Sequence, residues 1–298
     1  MKKQDILQRF LFENAPIRGE LVHLNDSFQT IIKQHDYPPV IQRLLGEALV
    51  LASLLSAIIK FEGRLTLQFQ GRGKLKLLMA QCNNDFHLRG LVQWDGELTQ
   101  DELIEDFQKG TLAILMDPDA SGRRYQGIVE WRGSSLTESI EGYFENSEQL
   151  LTRIWIAIDE HSAAGILLQI LPREGGIRLE SPTAPDRDWE HIVILTDTIK
   201  SDELLTLDNK TILHRLYVEE DVRLFEAEPV IFRCTCSVQR GESAILLLTR
   251  EEAEEELRDK QKLVVVCEFC NKEYVFDRID VEKIFRKGGT PPTSTKIH

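Results

Sequence analysis

The chain has 298 residues, and its hydrophobic fraction of 42% is ordinary for a globular protein. Its 36 basic and 49 acidic side chains give a formal net charge of −13, which disfavours binding to nucleic acids and to anionic membranes, because both require clustered lysine and arginine. The length allows one large core with a smaller satellite, or two domains.

The first 175 residues show the pattern of antiparallel strands interrupted by helices. The predicted strands, each bounded by turn-forming residues, are 6–12, 19–24, 64–70, 74–82, 86–94, 111–116, 125–131, 153–159 and 163–171. Helices are predicted from N-cap candidates at 25–27 through residue 33, over 40–61 and over 136–144. The 40–61 segment is apolar on most of its faces, which indicates a buried central helix, and its most apolar part, 48–59, is too short to span a bilayer.

No catalytic constellation is visible in the sequence, so the chain is not expected to be an enzyme. It contains no Gly-x-Ser-x-Gly elbow, no His-Glu-x-x-His helix and no phosphate-binding loop. Gly71 and Gly73 lack the third glycine of a dinucleotide fingerprint and fit a hairpin turn instead. Cys82 closes an apolar strand and is predicted to be a small core residue.

The character of the chain changes after residue 171, where glycine and proline cluster and mark a domain boundary. Short helices are then predicted at 186–200, 202–207 and 210–218. Many of their positions are charged, yet Trp189 and the apolar run 192–195 need a surface to pack on, which we expect to be a sheet face of the first domain. The segment is either an ordinary helical subdomain or a metastable linker that detaches and exposes its apolar side.

Four of the five cysteines form two close pairs, Cys234 with Cys236 and Cys267 with Cys270. Two close pairs joined by a loop are the arrangement that closes a Cys₄ zinc site. Three interpretations remain: a structural zinc site, a zinc site that doubles as a redox switch, or two permanent disulfides. The last requires a secreted chain, and residues 1–6 show no apolar run typical of a secretory signal, so we expect a reducing cytosol.

The cysteine-containing region is too small to fold on apolar burial alone. A Cys₄ zinc site can supply an apparent binding free energy of about 10–16 kcal/mol. Between and after the cysteine pairs we predict a solvated helix at 251–260, strands at 263–266 and 271–276, and a helix at 280–285. Residues 288–298 are predicted to form a disordered tail.

The cysteine pattern near the end of a chain of this length resembles that of the heat-shock protein 33 family. Residues 9–12 (RFLF) followed by 17–20 (IRGE), and residues 70–73 (QGRG) before an apolar strand, also resemble that family. The resemblance covers the whole chain, and the cysteine spacing is its specific part. It implies an α+β fold with a large N-terminal domain of mostly antiparallel sheet packed with helices (1–175), a helical metastable linker (176–230), a small zinc-binding redox-switch domain (231–287) and a tail (288–298).

The resemblance also implies a function. Members of the family are ATP-independent holdase chaperones of the bacterial cytosol, in which the four cysteines bind one zinc ion when reduced. Oxidation is expected to form the disulfides Cys234–Cys236 and Cys267–Cys270, to release zinc and to unfold the linker. The exposed surface would bind unfolded or partly folded client proteins, and the active form commonly dimerises.

Two other classes remain as alternatives. A zinc-ribbon interaction or nucleic-acid module usually has a basic face, whereas residues 251–256 are almost entirely acidic. A thiol–disulfide oxidoreductase using Cys267 and Cys270 would place that pair at the start of a helix, but the pair precedes a predicted strand.

Overall fold

A computed structural model describes residues 4–59, 62–118, 124–171 and 187–287. The chain divides into two compact units, and the division falls between Arg233 and Cys234. We call the part up to Arg233 unit 1 and the part from Cys234 unit 2. The glycine- and proline-rich boundary at 172–185, the turn-forming residues 119–122 between the predicted strands 111–116 and 125–131, and the predicted tail lie outside the described residues.

Unit 1 is built from two sheets and several helices. Its strands are β1 (Ile6–Phe12), β2 (Ile17–Leu24), β3 (Gly63–Gln70), β4 (Leu75–Asn83), β5 (His87–Trp94), β6 (Thr111–Pro118), β7 (Tyr125–Val129), β8 (Thr152–Ile158), β9 (Ala163–Ile170), β10 (Val222–Pro229) and β11 (Ile231–Phe232). Its helices are α1 (Asp26–Ile32), α2 (Pro39–Ile58), α3 (Gln100–Lys109), α4 (Leu136–Tyr143), α5 (Arg187–Thr196), α6 (Ser201–Thr206) and α7 (Asn209–Leu216), with a π-helical turn at Phe144–Glu148.

The first sheet has the strand order β10-β1-β2-β9-β8 and is antiparallel throughout. The second has the order β11-β5-β4-β3-β6-β7, and only its β11–β5 pair is parallel. The α+β class with mostly antiparallel sheet is therefore confirmed.

Helix α2 packs against strands of both sheets, as expected for the central helix. A Cβ atom on Gly90 of β5 would lie 2.9 Å from side-chain atoms of Leu45 and Leu49, and one on Gly165 of β9 would lie 2.5 Å from Val50. Both glycines thus allow the helix to approach the strands closely. The helix is long and apolar enough to cross a membrane, but 78% of its most apolar window is buried inside the protein, as in a core helix.

Helices α5, α6 and α7 pack on the other face of the first sheet. Trp189, Ile192 and Leu213 of these helices share a buried cluster with Phe10 and Ile166 of the sheet. Ile166 alternates along β9 with residues that face α2, because successive side chains of a strand point to opposite faces. The predicted linker segment thus has the apolar support that its sequence requires.

Helix α1 starts where the sequence predicts, but an unexpected group caps it. The side chain of Asn25 makes no capping hydrogen bond. Instead, the carboxylate of Asp5 accepts hydrogen bonds of 2.6, 3.0 and 2.6 Å from the backbone N–H groups of Asn25, Asp26 and Ser27. Asn25 is therefore the N-cap residue, but its side chain does not cap the helix, and a carboxylate from outside the helix satisfies the free N–H groups at its start.

Unit 2 contains a β-hairpin and three helices within its described residues. These elements are α8 (Val238–Ile245), α9 (Arg250–Lys260), β12 (Leu263–Val266), β13 (Glu273–Phe276) and α10 (Arg278–Lys287). The buried apolar side chains of the unit are Ile245, Ala253, Leu257, Leu263, Tyr274, Phe276, Val281 and Ile284. This is a small core, so the unit has little apolar burial with which to offset its chain entropy.

Candidate metal centre

The first cysteine pair lies between β11 and α8. The hydroxyl of Ser237 caps α8 by accepting a hydrogen bond of 3.3 Å from the backbone N–H of Arg240. The guanidinium of Arg240 in turn donates a 2.9 Å hydrogen bond to the hydroxyl of Thr235, the residue between the two cysteines. The segment around Cys234 and Cys236 is thereby attached to the first turn of α8.

The second pair lies in the turn of the β12–β13 hairpin. The N–H of Cys267 donates to the carbonyl of Lys272 at 3.0 Å, and the N–H of Asn271 donates to the carbonyl of Cys267 at 2.8 Å. Asn271 has a φ of +52°, a left-handed conformation that asparagine tolerates better than most residues. The backbone around Cys267 and Cys270 therefore forms a tight turn.

The two pairs meet, and the four sulfur atoms lie within 4.8 Å of one another. Sγ of Cys234 lies 3.6 Å from Sγ of Cys267, and Sγ of Cys236 lies 3.5 Å from Sγ of Cys270. Sulfurs that share a tetrahedral zinc ion lie roughly 3.8 Å apart, given Zn–S bonds of about 2.3 Å. The four cysteines are thus positioned to bind a metal ion.

The pKa values of these thiols reflect a cluster in which the sulfurs share hydrogen bonds. Burial is the main factor that raises the pKa of Cys270 to about 12, and burial also raises the pKa of Cys267. At Cys236 burial acts in the same direction, but hydrogen bonds from Tyr274 and from the neighbouring thiols outweigh it and lower the pKa to about 7. A bound cation would favour the thiolate form of all four groups, and an all-sulfur donor set suits a soft or borderline ion such as zinc.

Cys82 is not a member of this cluster and belongs to the buried core of unit 1. Its Sγ donates a hydrogen bond of 3.6 Å to the carbonyl of Asn83. Burial raises its pKa to about 12, so the thiol stays protonated and unreactive near neutral pH. This placement agrees with its predicted role as a core residue.

Sequence reasoning missed one residue of the site. The hydroxyl of Tyr274, in β13, donates a hydrogen bond of 3.1 Å to the sulfur of Cys236. The alternation of β13 predicts that Tyr274 and Phe276 share a buried face, but it does not indicate that this hydroxyl reaches a cysteine.

Fold and site together define a two-unit α+β protein whose smaller unit carries four cysteines positioned to bind a metal ion. A sequence model of the family described as Hsp33 protein matches residues 5–277. The chain is 46% identical to the 33 kDa chaperonin of Shewanella sp. (strain ANA-3), over 96% of this chain and 97% of that protein. It is 44% identical to the 33 kDa chaperonin of Nitrosococcus oceani over the full length of both. The chain belongs to the Hsp33 family, which is a family of heat-shock chaperones.

A solved structure supports the fold. The crystal structure of the 33 kDa chaperonin (Heat shock protein 33 homolog) from Thermotoga maritima matches with a TM-score of 0.80. The match covers 96% of this chain and 99% of that one, at 22% sequence identity.

Proposed function

We propose that this chain is a redox-regulated, ATP-independent holdase of the bacterial cytosol that captures unfolding proteins under oxidative stress. The observation that carries the proposal is the meeting of two distant cysteine pairs, with all four sulfurs within 4.8 Å, in a unit with a small apolar core. Such a unit depends on its metal ligands for stability, so a change in the oxidation state of the ligands can act on the fold.

In the reduced state, Cys234, Cys236, Cys267 and Cys270 hold one zinc ion as four thiolates. Structural zinc sites of this kind contribute an apparent binding free energy of about 10–16 kcal/mol at neutral pH. That is comparable to the whole stability of a typical domain, about 5–15 kcal/mol. The zinc-bound form is the inactive one, because unit 2 stays folded and the linker helices stay on the sheet.

Oxidation removes the thiolate ligands and leads to two disulfides, Cys234–Cys236 and Cys267–Cys270, and a disulfide does not bind zinc as two thiolates do. The binding free energy is lost, unit 2 unfolds, and the linker helices α5 to α7 detach. Detachment exposes apolar residues of the helices, such as Trp189, and of the sheet, such as Phe10, which lie in one buried cluster. This surface binds unfolded or partly folded clients, and the oxidised form can dimerise.

In this mechanism the chain has four parts. Residues 1–175 form the core domain, 176–230 the metastable linker, 231–287 the redox-switch domain and 288–298 the tail. The described residues of unit 1 include the linker helices and continue to Arg233, so these helices pack as part of unit 1. The chain passes directly from Arg233 to the first proposed ligand, Cys234.

Light scattering of a heat-denaturing test protein tests this function, with reduced and peroxide-treated chain compared and zinc release followed in parallel. We expect the reduced chain to contain one zinc and not to suppress scattering. After oxidation the chain should first release the metal and then suppress scattering. A variant with all four cysteines changed to serine should contain no zinc, whereas Cys82→Ser should contain the wild-type amount. Zinc retained by the quadruple variant would refute the ligand set, and steady reduction of insulin by the wild type would indicate an oxidoreductase.

A further inference from the structure

The hydroxyl of Tyr274 connects the two segments that carry the cysteine pairs. Its ring is buried in the core of unit 2, and on the hairpin it pairs with Val265 of β12. From this position the hydroxyl donates its 3.1 Å hydrogen bond to Sγ of Cys236, in the segment before α8. One side chain therefore joins the hairpin that carries the second cysteine pair to a sulfur of the first pair.

The sulfurs of the second pair obtain hydrogen bonds in a different way. The sulfur of Cys267 accepts a hydrogen bond from the backbone N–H of Phe269, and the sulfur of Cys270 accepts one from the backbone N–H of Lys272. These donors belong to the turn itself and persist as long as the turn is folded. The donor to Cys236, in contrast, is a side-chain hydroxyl that a single substitution can remove while the ring stays in place.

We propose that Tyr274 is a positioning residue of the redox switch, whose hydroxyl holds Cys236 in the metal centre and slows its oxidation. The inference deepens the proposed function and depends on it. Two effects of the hydrogen bond act in the same direction. A donor withdraws electron density from a thiolate and so reduces its nucleophilicity, and the same bond restrains the first cysteine segment against the hairpin.

The chemical step that the hydrogen bond slows is attack of a thiolate on a peroxide. The sulfur of Cys236 bonds to one peroxide oxygen, the O–O bond breaks, and hydroxide leaves while the cysteine becomes a sulfenic acid. A neighbouring thiolate then attacks this sulfur, a disulfide forms, and a second hydroxide leaves. Two electrons pass from the two thiolates to the peroxide, and the hydroxides take up protons to become water.

The test compares Tyr274→Phe with the wild type and with Tyr125→Phe. The control removes another phenolic hydroxyl, one that contacts Tyr143 and Glu148 in unit 1. Reduced, zinc-loaded proteins are mixed with hydrogen peroxide, zinc release is followed with a chromophoric chelator, and samples taken over time are alkylated for mass spectrometry of each cysteine. In Tyr274→Phe we expect zinc release and loss of free Cys236 thiol to be about threefold to tenfold faster. The control should match the wild type.

A second measurement reports on the sulfur without oxidation or chaperone activity. The reduced proteins are loaded with ¹¹³Cd²⁺, and the NMR resonance of the bound metal is recorded. We expect Tyr274→Phe to shift this resonance because the electron density on one ligand changes, and Tyr125→Phe to leave it in place.

Oxidation of Cys236 at the wild-type rate in metal-loaded Tyr274→Phe would overturn the inference. So would failure of this variant to take up metal, since Tyr274 would then be needed for the fold itself. Failure of the proposed function looks different, because the wild type would then contain no zinc or would release none with peroxide.

Discussion

The hydroxyls of Tyr217 and Thr196 lie 2.6 Å apart, buried where the end of α7 meets the end of α5. The Thr196 hydroxyl also donates to the carbonyl of Ile192 at 2.6 Å, so the Tyr217 hydroxyl acts as the donor between the two side chains. Burial raises the pKa of Tyr217, which keeps its proton in place. The ring of Tyr217 packs edge-on against Phe12 of β1 at 4.9 Å, so this residue connects the linker helices to the first sheet.

We therefore predict that Tyr217→Phe loosens the linker helices while the ring contacts persist. Loss of one buried hydrogen bond costs about 1 kcal/mol, and because the helices are short this should appear as faster amide exchange across residues 187–217. Hydrogen-exchange mass spectrometry of the reduced protein measures it. Tyr125→Phe, which alters a hydroxyl network in unit 1 away from these helices, is the control. Unchanged protection of α5 and α7 would contradict the prediction.

A buried carboxyl group makes the stability of unit 1 depend on pH. The side chain of Glu20 is 3% exposed, and Oε2 lies 3.9 Å from Nε of Arg9, too far for a hydrogen bond. Burial raises the pKa of Glu20 to about 8, and the nearby charges of Arg9 and Arg18 offset only part of this effect. Between the ordinary value of about 4.3 and about 8, the folded chain binds a proton that the unfolded chain has lost.

Stability should therefore fall as the pH rises through this window, by up to about 1.4 kcal/mol per pH unit. We predict that Glu20→Gln reduces this slope and makes unit 1 more stable than the wild type at pH 8, by on the order of 2–4 kcal/mol. Urea unfolding at several pH values, followed by tryptophan fluorescence, measures it, because all four tryptophans lie in unit 1. Glu105→Gln changes an exposed carboxylate and should keep the wild-type slope. Equal slopes in all three proteins would count against the prediction.

Much of unit 1 could be predicted because its signals are local. The strand Ile6–Phe12 has the predicted bounds, and strands β3 to β7 of the second sheet differ from prediction by a residue or two at their ends. The two-residue strand β11 was not predicted. Alternating apolar residues and turn-forming residues suffice for such strands, since both signals lie within a few positions.

Other elements were missed because they depend on distant partners. Strand β10 pairs with β1, and the side chain of Gln8 reaches the carbonyl of Phe225, 217 residues away in sequence. As an edge strand with mostly exposed side chains, β10 shows little apolar alternation.

Helix α3 was missed for a different reason: the capping box of Thr99 and Glu102 is present in the sequence and could have identified it.

The four-cysteine site also combines features that local sequence predicts with a contact that it does not. The spacing of the cysteines predicted the cluster, because close pairs are local features that a single ion can join. The hydrogen bond from Tyr274 to Cys236 depends on how the hairpin packs beside α8, and no local pattern encodes this.

Cys82 should have no part in the switch. It is fully buried in the core of unit 1, and its raised pKa keeps it as a thiol. We predict that Cys82→Ser keeps its zinc and its activation by peroxide, with about 1 kcal/mol of stability lost. Zinc analysis, light scattering and urea unfolding of the variant check the three parts. Loss of activation at normal stability would show that Cys82 takes part.

The last prediction concerns the pairing of the cysteines on oxidation. The family resemblance implies the bridges Cys234–Cys236 and Cys267–Cys270. In the folded centre, however, short sulfur separations of 3.6 and 3.5 Å join cysteines of different pairs. Contact in the folded state therefore does not select neighbouring partners, and the selection must follow from what happens when the metal leaves.

Once the metal is lost and unit 2 unfolds, only neighbours in sequence stay close to each other. Closing the loop of about thirty residues between the pairs then costs roughly 1–2 kcal/mol more than closing a short one. The Cys267-x-x-Cys270 turn accommodates a disulfide with less strain than Cys-x-Cys, so we predict that its bridge resists reduction better. Peptide mapping of fully oxidised and of partly re-reduced protein measures the pairing and this resistance. A dominant Cys234–Cys267 or Cys236–Cys270 bridge would mean that oxidation traps the folded centre, and the linker helices would then stay protected from protease after oxidation.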